Sequence, residues 1–173
     1  MSKEYSIWLV PNEDSETYSV LDEVISEYSQ EYPDAPDFKP HVTVLGGLEE
    51  DREIIEKHTQ TLAEGQEPLE LTITAASSSV TNHQCVFLLV SPSVELLELH
   101  QNALDLFDTH PSMYVPHLSL IYSEMDLKDR VHEAQSIEMD SLPKNVGIDT
   151  IEVFDTTGPV PNWEQTAKYS LDE

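Results

Sequence analysis

The stretch KPHVTVLGG, Lys39 to Gly47, sets a histidine and a threonine two positions apart inside a strand-like run of valines. VPHLSLIYS, Val115 to Ser123, does nearly the same with His117 and Ser119. In a strand, residues of equal parity share a face. His41 and Thr43 therefore look one way while Val42 and Val44 look the other. The second copy divides likewise, His117 and Ser119 against Leu118 and Leu120. Each segment offers an imidazole and a hydroxyl side by side above an apolar underside.

Working outward, YSIWLVP near the N-terminus alternates like a half-buried strand, with Ile7 and Leu9 on one face and Ser6, Trp8 and Val10 on the other. Tyr18, Leu21, Val24, Ile25 and Tyr28 then form the apolar stripe of a helix behind an acidic start, ended by the proline-rich YPDAPDFKP. After the first motif come a helix closed by Gly65 and two strands, LELTITAASSSV and QCVFLLVS, joined by a turn near TNH. SPSVELLELHQNALDLFD predicts a third helix before the second motif. A short helix around Asp126 to Met139 and a closing hairpin, GIDTIEVFDTTG with NWEQTAKYSL, follow it. Helix, motif strand, helix and hairpin thus occur twice. This order predicts an α+β fold in one bilobal domain over residues 1–173: two pseudo-symmetric antiparallel sheets lining a central cleft, with helices outside.

The chain has 173 residues, 39% of them hydrophobic, enough for a real core. No run approaches the roughly 20 apolar residues that span a bilayer, and MSKEYSIW lacks a secretory apolar stretch, so a cytoplasmic protein without membrane contact is expected. The single cysteine, Cys85, allows no internal disulfide, and no Cys/His cluster has zinc-like spacing. Acidic residues number 34 against 8 Lys plus Arg, a formal net charge of −26. They are interleaved with periodic apolar residues, which fits a solvated acidic surface on a folded core. Such a surface matches the halophilic habit of salt-accumulating archaea, where the Debye length shrinks to about 3 Å at 1 M salt. It argues against broad electrostatic binding to a nucleic acid duplex.

Two histidines facing one cleft allow one neutral imidazole to take a proton while the other gives one. The hydroxyls of Thr43 and Ser119 can donate hydrogen bonds to an anionic oxygen without adding charge. The combination suits attack on a phosphodiester and requires no metal or other cofactor. In these paired His-x-Thr/Ser-x motifs the sequence resembles the 2H phosphoesterases, and within them the cyclic phosphodiesterases of plant and yeast type. SIWLVP, PHVTVLGG, QCVFLLV, MYVPHLSLIY and WEQTAKYSL match in order, so the resemblance covers nearly the whole chain.

The resemblance implies hydrolysis of ribose cyclic phosphates. The substrates would be nucleoside 2',3'-cyclic phosphates, opened to the 2'-phosphate, or ADP-ribose 1'',2''-cyclic phosphate, a by-product of tRNA splicing. It makes His41 and His117 the acid/base pair, with His117 assigned as base toward water and His41 as acid. Thr43, Ser119 and Tyr122 would hold the phosphate, although Tyr122 has the wrong parity unless a bulge or strand end follows Leu120. Trp8 is expected either to stack on a base in the cleft or to sit in the core. His83 reads either as a further member of the site or, more readily, as a solvent-exposed turn histidine, and Lys39 as either a cation near the phosphate or a loop lysine. His58, His100, His110 and His132 read as structural or surface residues. The expected partner is a small cyclic nucleotide bound by a monomer. An enzyme acting on RNA 3' ends, of the 2',3'-cyclic phosphodiesterase or 2'-5' ligase type, is the alternative, and a non-catalytic nucleotide-phosphate-binding module is a third reading.

Overall fold

A computed structural model of the chain describes residues 2–171. The chain runs through β1 (Tyr5–Pro11), α1 (Glu16–Glu31), β2 (Val42–Leu48), α2 (Arg52–Glu64) and β3 (Leu69–Ser78). It continues through β4 (Val86–Val90), α3 (Val94–Leu106), β5 (His117–Ile121), α4 (Leu127–Ser136), β6 (Asn145–Asp155) and β7 (Glu164–Ser170). The order strand, helix, strand, helix, strand occurs twice before β7. The third strand of each set pairs with the first strand of the other, β3 with β4 and β6 with β1. The repeat therefore starts one strand earlier than the sequence pattern suggests.

The mixed α+β character is as expected, but the two predicted sheets are one. All pairings are antiparallel and run in the order β1-β2-β5-β4-β3-β6-β7, with β1 also paired to β6. The reason is the length of β6. Its first residues, Asn145–Ile148, pair with β3, and the rest pairs with β1 and β7. The other junction is slight, a single pair between Val42 of β2 and Leu118 of β5. Tyr114 and His100 brace that weak point. The Tyr114 hydroxyl donates to the Thr43 carbonyl at 2.7 Å, and His100 Nδ1 lies 2.8 Å from the Val44 carbonyl, its ring stacked on Tyr114.

β1 is buried along its whole length rather than on one face. Ile7 and Leu9 join the main core under the helices, with Val42, Val44, Leu118, Ile151 and Val153. Trp8 and Val10 meet Phe154 in a second, small cluster on the opposite face, flanked by Tyr18 and Trp163. α1 begins at Ser15, whose hydroxyl accepts the Tyr18 N–H, and buries Leu21 and Ile25 as its stripe requires. α4 stops at Ser136, short of the predicted Met139, and its one buried residue is Arg130. That guanidinium donates to the carbonyls of Ser79, Thr81, Ser123 and Met125. It thereby ties α4 to the β3–β4 turn and to the end of β5. No helix among the described residues is long and apolar enough to cross a membrane.

Candidate active site

Both histidines sit immediately after a proline, and both use that proline in the same way. Proline fixes its own φ and restricts the residue before it. In each motif the carbonyl two residues upstream points back at the imidazole. His41 Nδ1 lies 2.8 Å from the Lys39 carbonyl, and His117 Nδ1 lies 2.8 Å from the Val115 carbonyl. A carbonyl only accepts, so Nδ1 carries the proton in both rings and Nε2 is left as the free nitrogen. Both rings line one cleft of about 500 Å³, together with Thr43, Ser119, Tyr122 and Trp8. The six residues singled out from the sequence are thus brought together.

The surroundings of the two imidazoles differ. His41 is 4% exposed and lies flat on Trp8, ring centres 3.5 Å apart and planes 11° apart, with Phe38 against its edge. Burial pushes its pKa down from 6.5 to about 3, aided by the nearby charges of His117 and Lys39 and opposed by its bond to the Lys39 carbonyl. His41 is therefore neutral at neutral pH. His117 is only half-buried, with Phe87 beside its ring at 5.1 Å.

Tyr122 reaches the cleft because β5 carries the required bulge. Phe87 pairs with Ser119 and Val86 with Ile121, so Leu120 is the extra residue and the alternation resets after it. Burial raises the Tyr122 pKa, with a hydrogen bond to Ser119 opposing the shift, so Tyr122 is a neutral phenol able to donate. Ser119 Oγ donates to the His83 carbonyl at 3.3 Å.

Two expectations change, and a third holds in both its forms. Trp8 cannot stack on a base, because His41 covers one face of the indole and Phe154, 3.9 Å away, covers the other. It is a floor for the imidazole. Lys39 is neither a phosphate cation nor a free loop lysine, since its ammonium binds Glu13 at 2.5 Å and the buried Glu152 at 3.1 Å. His83 does lie in an exposed turn, yet it also lines the cleft, 5.0 Å from the Tyr122 ring and 5.5 Å from Trp163.

Trp163 is an aromatic cleft residue that the sequence reading missed. It follows the turn GPVPN, where Gly158 has φ +75°, and its Nε1 donates to the Gly158 carbonyl at 3.0 Å. A glycine-proline turn delivering a lone tryptophan to the start of a closing strand was the available signal.

Comparison with known proteins adds the family. The sequence model described as cyclic phosphodiesterase-like protein matches residues 1–171. The chain belongs to the cyclic phosphodiesterase-like family. It is accordingly an enzyme of the phosphodiesterase class. A cyclic phosphodiesterase of Arabidopsis thaliana is 29% identical over 129 residues, 73% of this chain and 68% of that protein. Among solved structures, a phosphoesterase superposes with a TM-score of 0.65 at 12% identity, covering 99% of both chains. E. coli LigT bound to ATP gives 0.61 at 13% identity over the full length of both chains, and the same protein has been solved with 3'-AMP at the same values. These likenesses establish that this cyclic phosphodiesterase-like chain has the 2H phosphoesterase fold.

Proposed function

We propose that the protein opens ribose cyclic phosphates, nucleoside 2',3'-cyclic phosphates or ADP-ribose 1'',2''-cyclic phosphate, by acid/base catalysis between His41 and His117. The observation that carries this reading is the pair of rings lining one cleft, each with Nδ1 tied to a carbonyl and Nε2 free. We read the chain as one bilobal domain of two pseudo-repeats, each supplying one such motif. The nucleotides bound by LigT and the cyclic substrate in the name of the Arabidopsis relative support a small-molecule substrate.

In the reaction, a base takes a proton from water as the oxygen attacks phosphorus. The bond from phosphorus to the ribose 3' oxygen breaks, and an acid protonates that oxygen, leaving the 2'-phosphate. Thr43, Ser119 and the neutral Tyr122 donate to the non-bridging oxygens. The buried, neutral His41 is the base and the solvent-reachable His117 is the acid. This reverses the assignment made from the sequence, because burial disfavours a charged His41 in the free enzyme.

The test is product analysis with 2',3'-cyclic AMP in molar KCl and EDTA. The 2'-phosphate alone is expected, with loss of roughly 10²-fold or more in His41→Ala and His117→Ala. A substrate carrying sulfur at the bridging 3' position needs no proton on its leaving group, so it should restore His117→Ala far more than His41→Ala. Formation of the 3'-phosphate, or full turnover by either variant, would overturn the mechanism. Rescue of His41→Ala instead would return the acid role to His41.

A further inference from the structure

The strangest residue near the cleft is Glu152. It is directly opposite Trp8 in the β1–β6 pairing, on a face shared with Val10 and Phe154, and its side chain is 0% exposed. A carboxylate there is costly, and an apolar side chain of similar size would serve stability as well or better. Its partners are Lys39 Nζ at 3.1 Å on one oxygen and the Thr150 hydroxyl at 3.3 Å on the other. Lys39 continues to Glu13 at 2.5 Å and passes its ammonium over the Phe154 ring, 5.6 Å from the centre. The side chain of Lys39 is thus anchored to two strand-bound or helix-proximal acids 26 and 113 positions away in sequence. Its main-chain carbonyl accepts the Nδ1 proton of His41.

We infer that Lys39 and Glu152 are positioning residues: the buried ion pair clamps the Lys39 main chain, and that carbonyl holds the His41 ring in one tautomer with Nε2 toward the cleft. The second motif makes the same 2.8 Å contact without an anchor, so the clamp serves the placement of the buried ring rather than the contact itself. Val115 occupies the place of Lys39, is 44% exposed and makes no such anchor, and its histidine is the less buried of the two. The anchor accompanies only the imidazole that lies flat on an indole, where a small rotation would lose the stack. Misplacement by about 1 Å of a reacting group can cost on the order of 100-fold in rate.

The inference rests on His41 taking part in turnover, so one readout is independent of activity. Removing Lys39 alone strands the buried Glu152 charge, while removing Glu152 alone leaves Lys39 held by Glu13, so the Lys39 variant can fail to fold for that reason only. The informative variant is therefore the double Lys39→Met with Glu152→Gln, which leaves no buried charge. It is expected to fold, to lose about 10- to 100-fold in kcat with KM little changed, and to give less than additive losses relative to each folded single variant. Imidazole ¹⁵N spectra should show His41 protonated on Nδ1 in the wild type and a tautomer mixture in the double variant, with His117 unaffected. Wild-type kcat together with an unchanged His41 spectrum would overturn the inference and leave the pair a structural feature. A changed spectrum in a protein whose wild type opens no cyclic phosphate would keep the clamp and refute the proposed reaction instead.

Discussion

Burying a neutral histidine makes the fold sensitive to acid, and here the size and sign can be worked out. His41 titrates near 6.5 in the unfolded chain and at about 3 in the folded one. A folded-state value below the unfolded one stabilises the protein fully above 6.5, and the contribution is lost as pH falls toward 3. Between pH 7 and pH 5 the unfolded chain takes up a proton that the native protein refuses, which removes about 2 kcal/mol of stability. The comparison protein is His41→Phe, which keeps a flat ring on Trp8 but has nothing to titrate. It forfeits the bond to the Lys39 carbonyl, about 1 kcal/mol at pH 7. Urea unfolding in molar KCl, followed by tryptophan fluorescence, should show wild type losing about 2 kcal/mol more than the variant between pH 7 and pH 5, so that the variant draws level or ahead. The carboxylates shared by both proteins cancel in this difference. Equal losses in the two proteins would refute the idea that His41 is held neutral by burial.

Trp163→Ala should raise KM for a cyclic nucleotide severalfold and leave kcat nearly intact, since the indole edges the cleft beside His83 and Tyr122; a collapse of kcat with unchanged KM would contradict this. With a net charge of −26, the melting temperature should fall below about 0.5 M salt as screening weakens. A melting temperature indifferent to salt down to dilute buffer would remove halophilic adaptation as the explanation of the acidic surface.

Much of the site was legible because strand parity is a strong local rule. His41, Thr43, His117 and Ser119 follow from counting by twos, and each lines the cleft. Tyr122 required a bulge that alternation alone cannot place, since Leu120 and Ile121 are both buried and apolar. Trp8 was correctly put on the face of Ser6 and Val10, but its partners come from β6 and from the residue before β2, contacts that no local pattern encodes. The same holds for the pairing of Lys39 with Glu152, which are 113 positions apart. The single sheet was missed for a related reason: β6 serves two neighbours at successive stretches of its length, and strand length read from one sequence does not reveal sharing.

The two motifs are alike in everything their own residues determine. Each is x-Pro-His-x-hydroxyl, and each turns its Nδ1 proton onto the carbonyl two residues upstream. Identical imidazoles in identical surroundings would share one titration, and then at best about a quarter of the molecules would hold the base free while the acid is protonated. A pair performing opposite tasks gains from being made unequal, and the inequality has to come from outside the motif. Here it comes from β1 and β6, which supply the indole under His41 and the carboxylate that anchors Lys39. His117 has only the tilted Phe87 ring at 5.1 Å beside it among the described aromatic contacts, and the neighbouring Val115 is open to solvent. Local sequence thus sets what each histidine is, and the packing of distant strands holds His41 neutral.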